Sequence, residues 1–498
     1  MGRAGPSLSK SDFLRGWQCP KALYLSAFEP GVVAPPDSQS RARMASGKSI
    51  GLLARELFPD GVDAWPNRPR DAAAAAERTA GLIAGRAPAI FEAAFAAEDG
   101  RHAAVDILAR GRRGWRLIEV KSSTSVKEEH LLDVAFQLSV ARAAALEIES
   151  VEILHLNSDY TRKGALDLSA LFTRQPVTAQ AEAHGPQVTV RAGDLLRVLH
   201  EGRRPDVPIG PHCLRPRECD CRNECWAEVP RGSVLEIAHL TWERKFHLYD
   251  QGIRRMEDIT NDIDLPKRSG LHVTAHQRGR PIIELDGLRG FLAGLVFPVT
   301  LLDFETVAPA VPLWDGTRPY QQIPFQFSLH LLRGPSAQPE HRGFLAEPGP
   351  DPRPALLQSL LPATAGTGSI LAYHMPFELG VMRQLAEAFP ALRDQIEQRL
   401  PRMDDLIKPF RAWHYWVPEM GGSFSIKSVA PALAPDLSYE GMEIADGLAA
   451  SLAFERLVRD AAPDEAARLR TALEVYCERD TLAMVRVLQA IWRAAGLS

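Results

Sequence analysis

The chain has no apolar run long enough to cross a bilayer, which takes roughly 20 residues. Its first residues, MGRAGPSLSK, contain no apolar signal core. Pro6 stands where a myristoylation signal needs Ser or Thr. These absences lead us to expect a cytoplasmic protein. A dominant charge is also missing: 58 Lys+Arg against 62 Asp+Glu leave −4. Residues 1–235 hold 31 basic and 29 acidic side chains, so neither half is strongly charged. A polyanionic partner would be met by a local groove, not by a global field. No internal repeat is visible. The six cysteines do not read as a secreted disulfide scaffold, because four of them lie within thirteen residues. In a reducing compartment such clustering favours metal over disulfides.

What is present is the composition of an ordinary globular protein, 45% hydrophobic and 24% charged. A length of 498 residues predicts two to four domains. SKSDFLRGWQCPKALYL reads as a capped amphipathic helix, 28–46 as a loop, and GKSIGLLARELF as helix. AIFEAAFA, HAAVDILAR, WRLIEVK and VEILHLN read as strands, with a long helix over EEHLLDVAFQLSVARAAAL. Residues 174–205 give no clear pattern. Residues 232–292 read as short helices, with KFHLYDQGIRRMEDI resembling two helices hinged at Gly252. A second alternation begins at FPVTLLDFET. It continues through FQFSLHLL, a loop over 334–354, SILAYH, a helix at FELGVMRQLAEAF and a long terminal helix. Strands alternating with helices predict an α/β protein. Its expected divisions are 1–230, a helical connector at 231–295, and 296–498.

Two groups of acids stand out. Glu119 and Lys121 are two apart on one strand and share a face, and Asp106 lies on the strand before. Carboxylates so placed can hold Mg2+ or Mn2+, with the lysine positioning water or steadying phosphorane charge. Gln137, on the next helix, could face them. An EVK tripeptide by itself would be a salt-bridged strand. In the second group, Asp303 and Glu305 share a face of a buried strand. Tyr476 and Asp480 are four apart and share a helix face. His374 and Glu378 fall where a strand meets a helix. Four acids can hold two metals about 4 Å apart for attack on a phosphodiester.

Asp106, Glu119, Lys121 and Gln137 resemble the motif of the PD-(D/E)xK nucleases, in their RecB-like branch, over residues 8–228. The resemblance implies metal binding by Asp106 and Glu119 and catalysis by Lys121. The sequence departs from that branch in two places: GKSIGLLARELF has no His, and Ala141 replaces the usual Tyr. Asp303-Phe304-Glu305, His374 to Glu378, and Tyr476 with Asp480 resemble the three motifs of DEDD exonucleases in the RNase H-like superfamily. That implies metal binding by Asp303, Glu305, Glu378 and Asp480, with Tyr476 orienting water. Here Glu378 stands for the usual Asp and His374 for the usual Asn. Asp405 and Leu406 fit a supporting segment. Over its whole length, through GTRPYQQIPFQFSLH, GSFSIKSVAPAL and YCERDTLAMV, the chain is similar to an uncharacterised bacterial family that fuses these two modules.

The cysteine cluster comprises Cys213, Cys219, Cys221 and Cys225. Thiolates so grouped bind Zn2+ or an iron–sulfur cluster. The RecB-like resemblance adds an N-terminal cysteine, matched by Cys19. It implies a [4Fe–4S] cluster on Cys19, Cys213, Cys219 and Cys225, with Cys221 spare. The alternative is a local Zn2+ site that uses Cys221 and Cys225 without Cys19. Cys477 reads as an ordinary buried thiol. Lys427, Arg318, Tyr320 and Gln322 combine charge, aromatic and amide groups suited to single strands, or equally to a packed polar loop.

The expected function is therefore a metal-dependent nuclease. Its second module would be an exonuclease of the 3′–5′ type, and its first a further nuclease or a strand-binding platform. DNA stands ahead of RNA as substrate. The competing expectations are a non-catalytic nucleic-acid scaffold with degenerate sites, and an RNase.

Overall fold

The structure is a computed structural model that describes residues 7–65, 72–437, 439–459 and 461–497. The first six residues, on which the absence of a signal was argued, lie outside the described residues. The protein is mixed α/β and divides into two compact units. One comprises 1–228 with 309–320, the other 229–308 with 321–498.

The first unit opens with a short strand β1 (Leu8–Ser9), α1 (Lys10–Gln18), α2 (Pro20–Phe28) and α3 (Ser38–Arg55). It continues with β2 (Gly61–Asp63), α4 (Ala72–Ala84), β3 (Ala89–Ala96), β4 (Arg101–Arg110), β5 (Trp115–Lys121) and α5 (Glu128–Ala143). The rest is β6 (Ile148–Leu156), α6 (Leu168–Leu171), β7 (Phe172–Pro176), α7 (Thr178–Glu201) and a single turn α8 (Arg222–Cys225). The sheet order is β2-β3-β4-β5-β6-β7, with β1 beside the start of β4. Strands β3, β4 and β5 form an antiparallel meander, and β5 continues through α5 into the parallel β6. Helix α5 is buried along most of its length, with Phe136 stacked on Phe13 of α1 at 4.5 Å. Two elements differ from the sequence reading. The stretch read as a loop to 46 is helical from Ser38, because Asp37 caps it by accepting from the Ser40 N–H. The unassigned 174–205 is the end of β7 and the 24-residue α7. Pro186 lies inside that helix and obscures its pattern.

The second unit begins with α9 (Trp242–Asp250), α10 (Lys267–Arg278), β8 (Ile282–Ile283) and α11 (Leu285–Ala293). The expected second helix after Gly252 is only a 3-10 turn at Met256–Asp258, and Gly252 takes φ +85° to end α9. There follow β9 (Val299–Val307), β10 (Ile323–Leu332), β11 (Glu340–Leu345), α12 (Pro352–Ala363), β12 (Ile370–Ala372), α13 (Pro376–Ala388) and α14 (Arg393–Glu397). The chain ends with β13 (Met403–Asp405), α15 (Lys408–Arg411), β14 (Tyr415–Trp416), α16 (Ile426–Leu433), α17 (Gly447–Arg459) and α18 (Pro463–Ala494). The main sheet has the order β11-β10-β9-β12-β13. β10 is antiparallel to both β9 and β11, and β12 and β13 run parallel to β9. Strand β11 falls in the stretch read as a loop. Its side chains are mostly solvent-facing at the sheet edge, so it carries no apolar alternation.

Helix α18 covers this sheet with a stripe of Leu469, Leu473, Tyr476, Cys477, Asp480, Ala483, Met484, Val487, Leu488 and Ile491. These recur at three- and four-residue steps, as one helix face requires. A carboxylate within that apolar stripe is costly unless something compensates it. No described helix is long and apolar enough to cross a membrane.

Candidate active sites and cysteine cluster

In the first unit the meander sets Asp106 on β4 beside Glu119 on β5, where the Asp106 carboxylate accepts the Val120 N–H at 2.8 Å. Glu119 is fully enclosed. Lys121 Nζ lies 2.7 Å from it, and Gln137 Nε2 of α5 donates to it at 2.8 Å. Asp106, Glu119, Lys121 and Gln137 thus come together. Two further residues join them that sequence reasoning missed. Asp133, one turn before Gln137, accepts from Lys121 at 2.5 Å and from Gln137 at 2.8 Å. Lys10, the first residue of α1, reaches Glu119 at 2.9 Å and Asp133 at 3.6 Å. The helix period relates Asp133 to Gln137 and could have exposed it. Lys10 carries no such signal, because only the tertiary pairing of β1 with β4 brings it there.

Burial would push the Glu119 carboxyl up, but Lys10 and Lys121 outweigh it and hold the group well below its usual range. Burial also opposes charge on Lys10 and Lys121, yet the surrounding carboxylates raise both. Asp106 makes no ion pair among the described residues; burial and the Glu119 charge outweigh the pull of Lys10 and Lys121 and lift it to about 7. His130, buried on α5, is pushed down to about 4 by burial and by Lys121, and stays neutral. The hard oxygen donors available to a divalent cation here are the Asp106 and Glu119 carboxylates, of which Asp106 makes no ion pair among the described residues.

In the second unit Asp303 and Glu305 point from β9 toward α18, and Glu378 comes from the first turn of α13. Asp303 feels Glu305, Asp480 and Glu378 together, and burial with these charges raises it well above the carboxylate range. Burial and Asp480 lift Glu305 to about 8; burial, with a contribution from Asp405, lifts Glu378 to about 8. Burial raises Asp480, although the phenols of Tyr439 and Tyr476 hold it down in part. Glu378 Oε2 and Asp480 Oδ1 are buried with no hydrogen-bond partner among the described residues. Four neighbouring carboxylates, two of them with a buried oxygen unpartnered among the described residues, fit hard divalent cations.

Asp405, on β13, adjoins this cluster through its effect on Glu378. It accepts the N–H groups of His374 (2.9 Å) and Ile407 (3.1 Å), fixing the turn that leads into α13. His374 is exposed, with φ +74°, and its ring nitrogen meets Arg411 at 2.9 Å. Lys427 Nζ sits 5.8 Å from the Tyr476 ring centroid and 5.9 Å from that of Tyr439. It lowers both Glu305 and Asp480. Tyr439, a second phenol that lowers Asp480, was not singled out by sequence. Tyr320 belongs to the first unit, where its hydroxyl donates to the Ser122 carbonyl. Gln322 accepts from Thr306. Arg318 is exposed.

The cysteines Cys19, Cys213, Cys219, Cys221 and Cys225 line one small cavity in the first unit. Burial raises Cys19, and Cys219 and Cys213 add to it. Burial likewise raises Cys225, and the neighbouring sulfurs of Cys213, Cys219 and Cys19 add to it. Cys221 instead hydrogen-bonds Cys219, holding that thiol at about 7, and faces Asp220 and Arg15. Arg15 of α1 pairs with Asp220 at 2.5 Å. Gln18 of α1 donates to the His212 and Arg217 carbonyls at 2.7 and 2.8 Å. This soft donor set fits thiophilic metals. Cys477 is not part of it; it lies fully buried in the second unit.

The family described as Domain of unknown function (DUF2779) matches residues 300–425, which include Asp303, Glu305, Glu378 and Asp405. No curated protein matches the chain.

Proposed function

We propose that this protein is a metal-dependent nuclease and that its second unit is a DEDD-type exonuclease of the RNase H-like class, acting in the 3′–5′ sense. The observation that carries this reading is the convergence of Asp303, Glu305, Glu378 and Asp480 with two buried oxygens unpartnered among the described residues. A sheet whose first strand is central, with antiparallel partners on one side and parallel strands on the other, is consistent with it. Bound there, two divalent cations would supply an activated water and stabilise the leaving oxygen. Tyr476 orients the water, Asp405 fixes the approach of Glu378, and Lys427 offsets charge on the phosphate side. The substrate is nucleic acid, DNA ahead of RNA.

The first unit is a PD-(D/E)xK module, with Asp106, Glu119, Lys121 and Gln137 at its site. Its role is either a second nuclease or a strand-binding platform. The neutralisation of Glu119 and Asp133 by Lys10 and Lys121 favours the platform. Cys19, Cys213, Cys219 and Cys225 would hold a [4Fe–4S] cluster that clips the ends of this unit together. Zn2+ on Cys219 and Cys221 with Asp220, whose ligand atoms lie within 4.8 Å, is the second reading.

The test is digestion of end-labelled single-stranded DNA and RNA with Mn2+, comparing wild type, Asp303→Ala and Lys121→Ala. Ladders lost only in Asp303→Ala are the expected result. Cleavage unchanged in Asp303→Ala and lost in Lys121→Ala would move the activity to the first unit. No cleavage by any protein would leave a nucleic-acid scaffold.

A further inference from the structure

Cys477 is fully buried on the face of α18 that carries Tyr476 and Asp480. Its sulfur and one carboxylate oxygen each from Asp303 and Glu305 all lie within 4.8 Å of one another. Ser328, which pairs with Asp303 across β10 and β9, bonds the sulfur through its backbone. The pocket is not satisfied without a ligand: Asp480 Oδ1 and Glu378 Oε2 are buried and unpartnered among the described residues, on carboxylates that Asp303 faces. A nuclease site for Mg2+ or Mn2+ needs oxygen ligands only. A thiol among those oxygens changes which metal wins, because sulfur selects soft and borderline cations.

We propose that Asp303, Glu305 and Cys477 form an inhibitory site for Zn2+ and related thiophilic cations, overlapping the catalytic carboxylates of the second unit. The inhibition rests on the exonuclease reading above; the binding does not. One sulfur and two carboxylates supply three ligands of a tetrahedral zinc site, leaving one position for water or Asp480. On binding, the Cys477 thiol and whichever of the Asp303 and Glu305 carboxyls carry a proton release it to solvent as the metal–ligand bonds form, and no electrons are transferred. A cation so held takes the place of the activating metal without reproducing its octahedral, oxygen-only geometry. The module would then be active only where free thiophilic metal is scarce.

Cd2+ is the spectroscopic probe for this site. Cadmium-113 NMR of the full-length wild type, with the other cysteines present, should show a resonance in the range for one sulfur with oxygen ligands. It should be separate from any sulfur-rich signal of the first unit and absent in Cys477→Ser and Cys477→Ala. In parallel, Zn2+ inhibition is read as a fraction of each protein's own Mn2+-supported rate. Both substitutions should raise the half-inhibiting Zn2+ concentration by at least about tenfold. A wild-type spectrum lacking the one-sulfur resonance overturns the proposal, even if both variants fail to fold. So does inhibition that is the same with and without the thiol. If no protein cleaves, the exonuclease reading fails, while the resonance still decides the site.

Discussion

Glu305 and Glu378 give the second unit a pH dependence of defined sign. Both sit at about 8 in the metal-free fold, against 4.5 for an ordinary glutamate. Above about pH 5 the unfolded chain releases these protons while the folded chain keeps them, so stability falls as pH rises toward about 8. A divalent cation reverses this, because it binds the ionised carboxylates and releases their protons. Melting in chelator should therefore drop between about pH 5 and pH 8, with Mn2+ raising the midpoint most at the alkaline end. Glu305→Gln should flatten the chelator curve. A chelator curve that rises with pH would refute the assignment of uncompensated carboxylates. Asp303, Glu305 and Asp480 were legible in sequence because strand and helix periods put each pair on one face. Lys10, Asp133 and Tyr439 were not singled out. Lys10 and Tyr439 are brought in by chain reversals that no local period records.

The capped start of α1 shows how an element aims a side chain. The Asp12 N–H donates to Ser9 Oγ at 3.1 Å and the Ser9 N–H to Asp12 Oδ2 at 3.3 Å, closing a reciprocal box. Lys10 leaves from the first helical position and reaches Glu119. Ser9→Ala should cost about 1 kcal/mol of stability, read by urea unfolding. Asp12→Ala should match it, whereas an exposed control such as Gln39→Ala should not. A closer constraint lies at Gly368, where a Cβ would stand 1.8 Å from the Pro298 carbonyl oxygen. Because that neighbour is backbone, Gly368→Ala should destabilise the second unit by about 1–3 kcal/mol or more. Unchanged unfolding would contradict the close approach beside β12. Buried strands such as β9 and β10 were readable from their apolar runs. The solvent-facing edge strand β11 and the proline-bearing α7 were not, because each lacks the pattern that identifies its class.

At the scale of the whole molecule, each unit has its own apolar core. The cysteine cavity joins residue 19 to residues 213–225 within the first unit. A metal cluster proposed across that span would close a loop of nearly the whole unit, which in the chain-entropy account is worth about 4–5 kcal/mol. The bonds from Arg15 to Asp220 and from Gln18 to the His212 and Arg217 carbonyls would remain after its loss, so the unit should weaken without unfolding outright. Calorimetry of the full chain, purified anaerobically, is expected to resolve two transitions. Oxidative removal of the cluster should lower one of them by on the order of 10 °C. Mn2+ should raise the other, and Asp303→Ala should abolish that rise while leaving the cluster-dependent transition in place. A single transition that moves with both treatments would mean that the cores do not melt separately. Two transitions with no response to cluster loss would mean that the cysteines do not fasten the first unit through a metal.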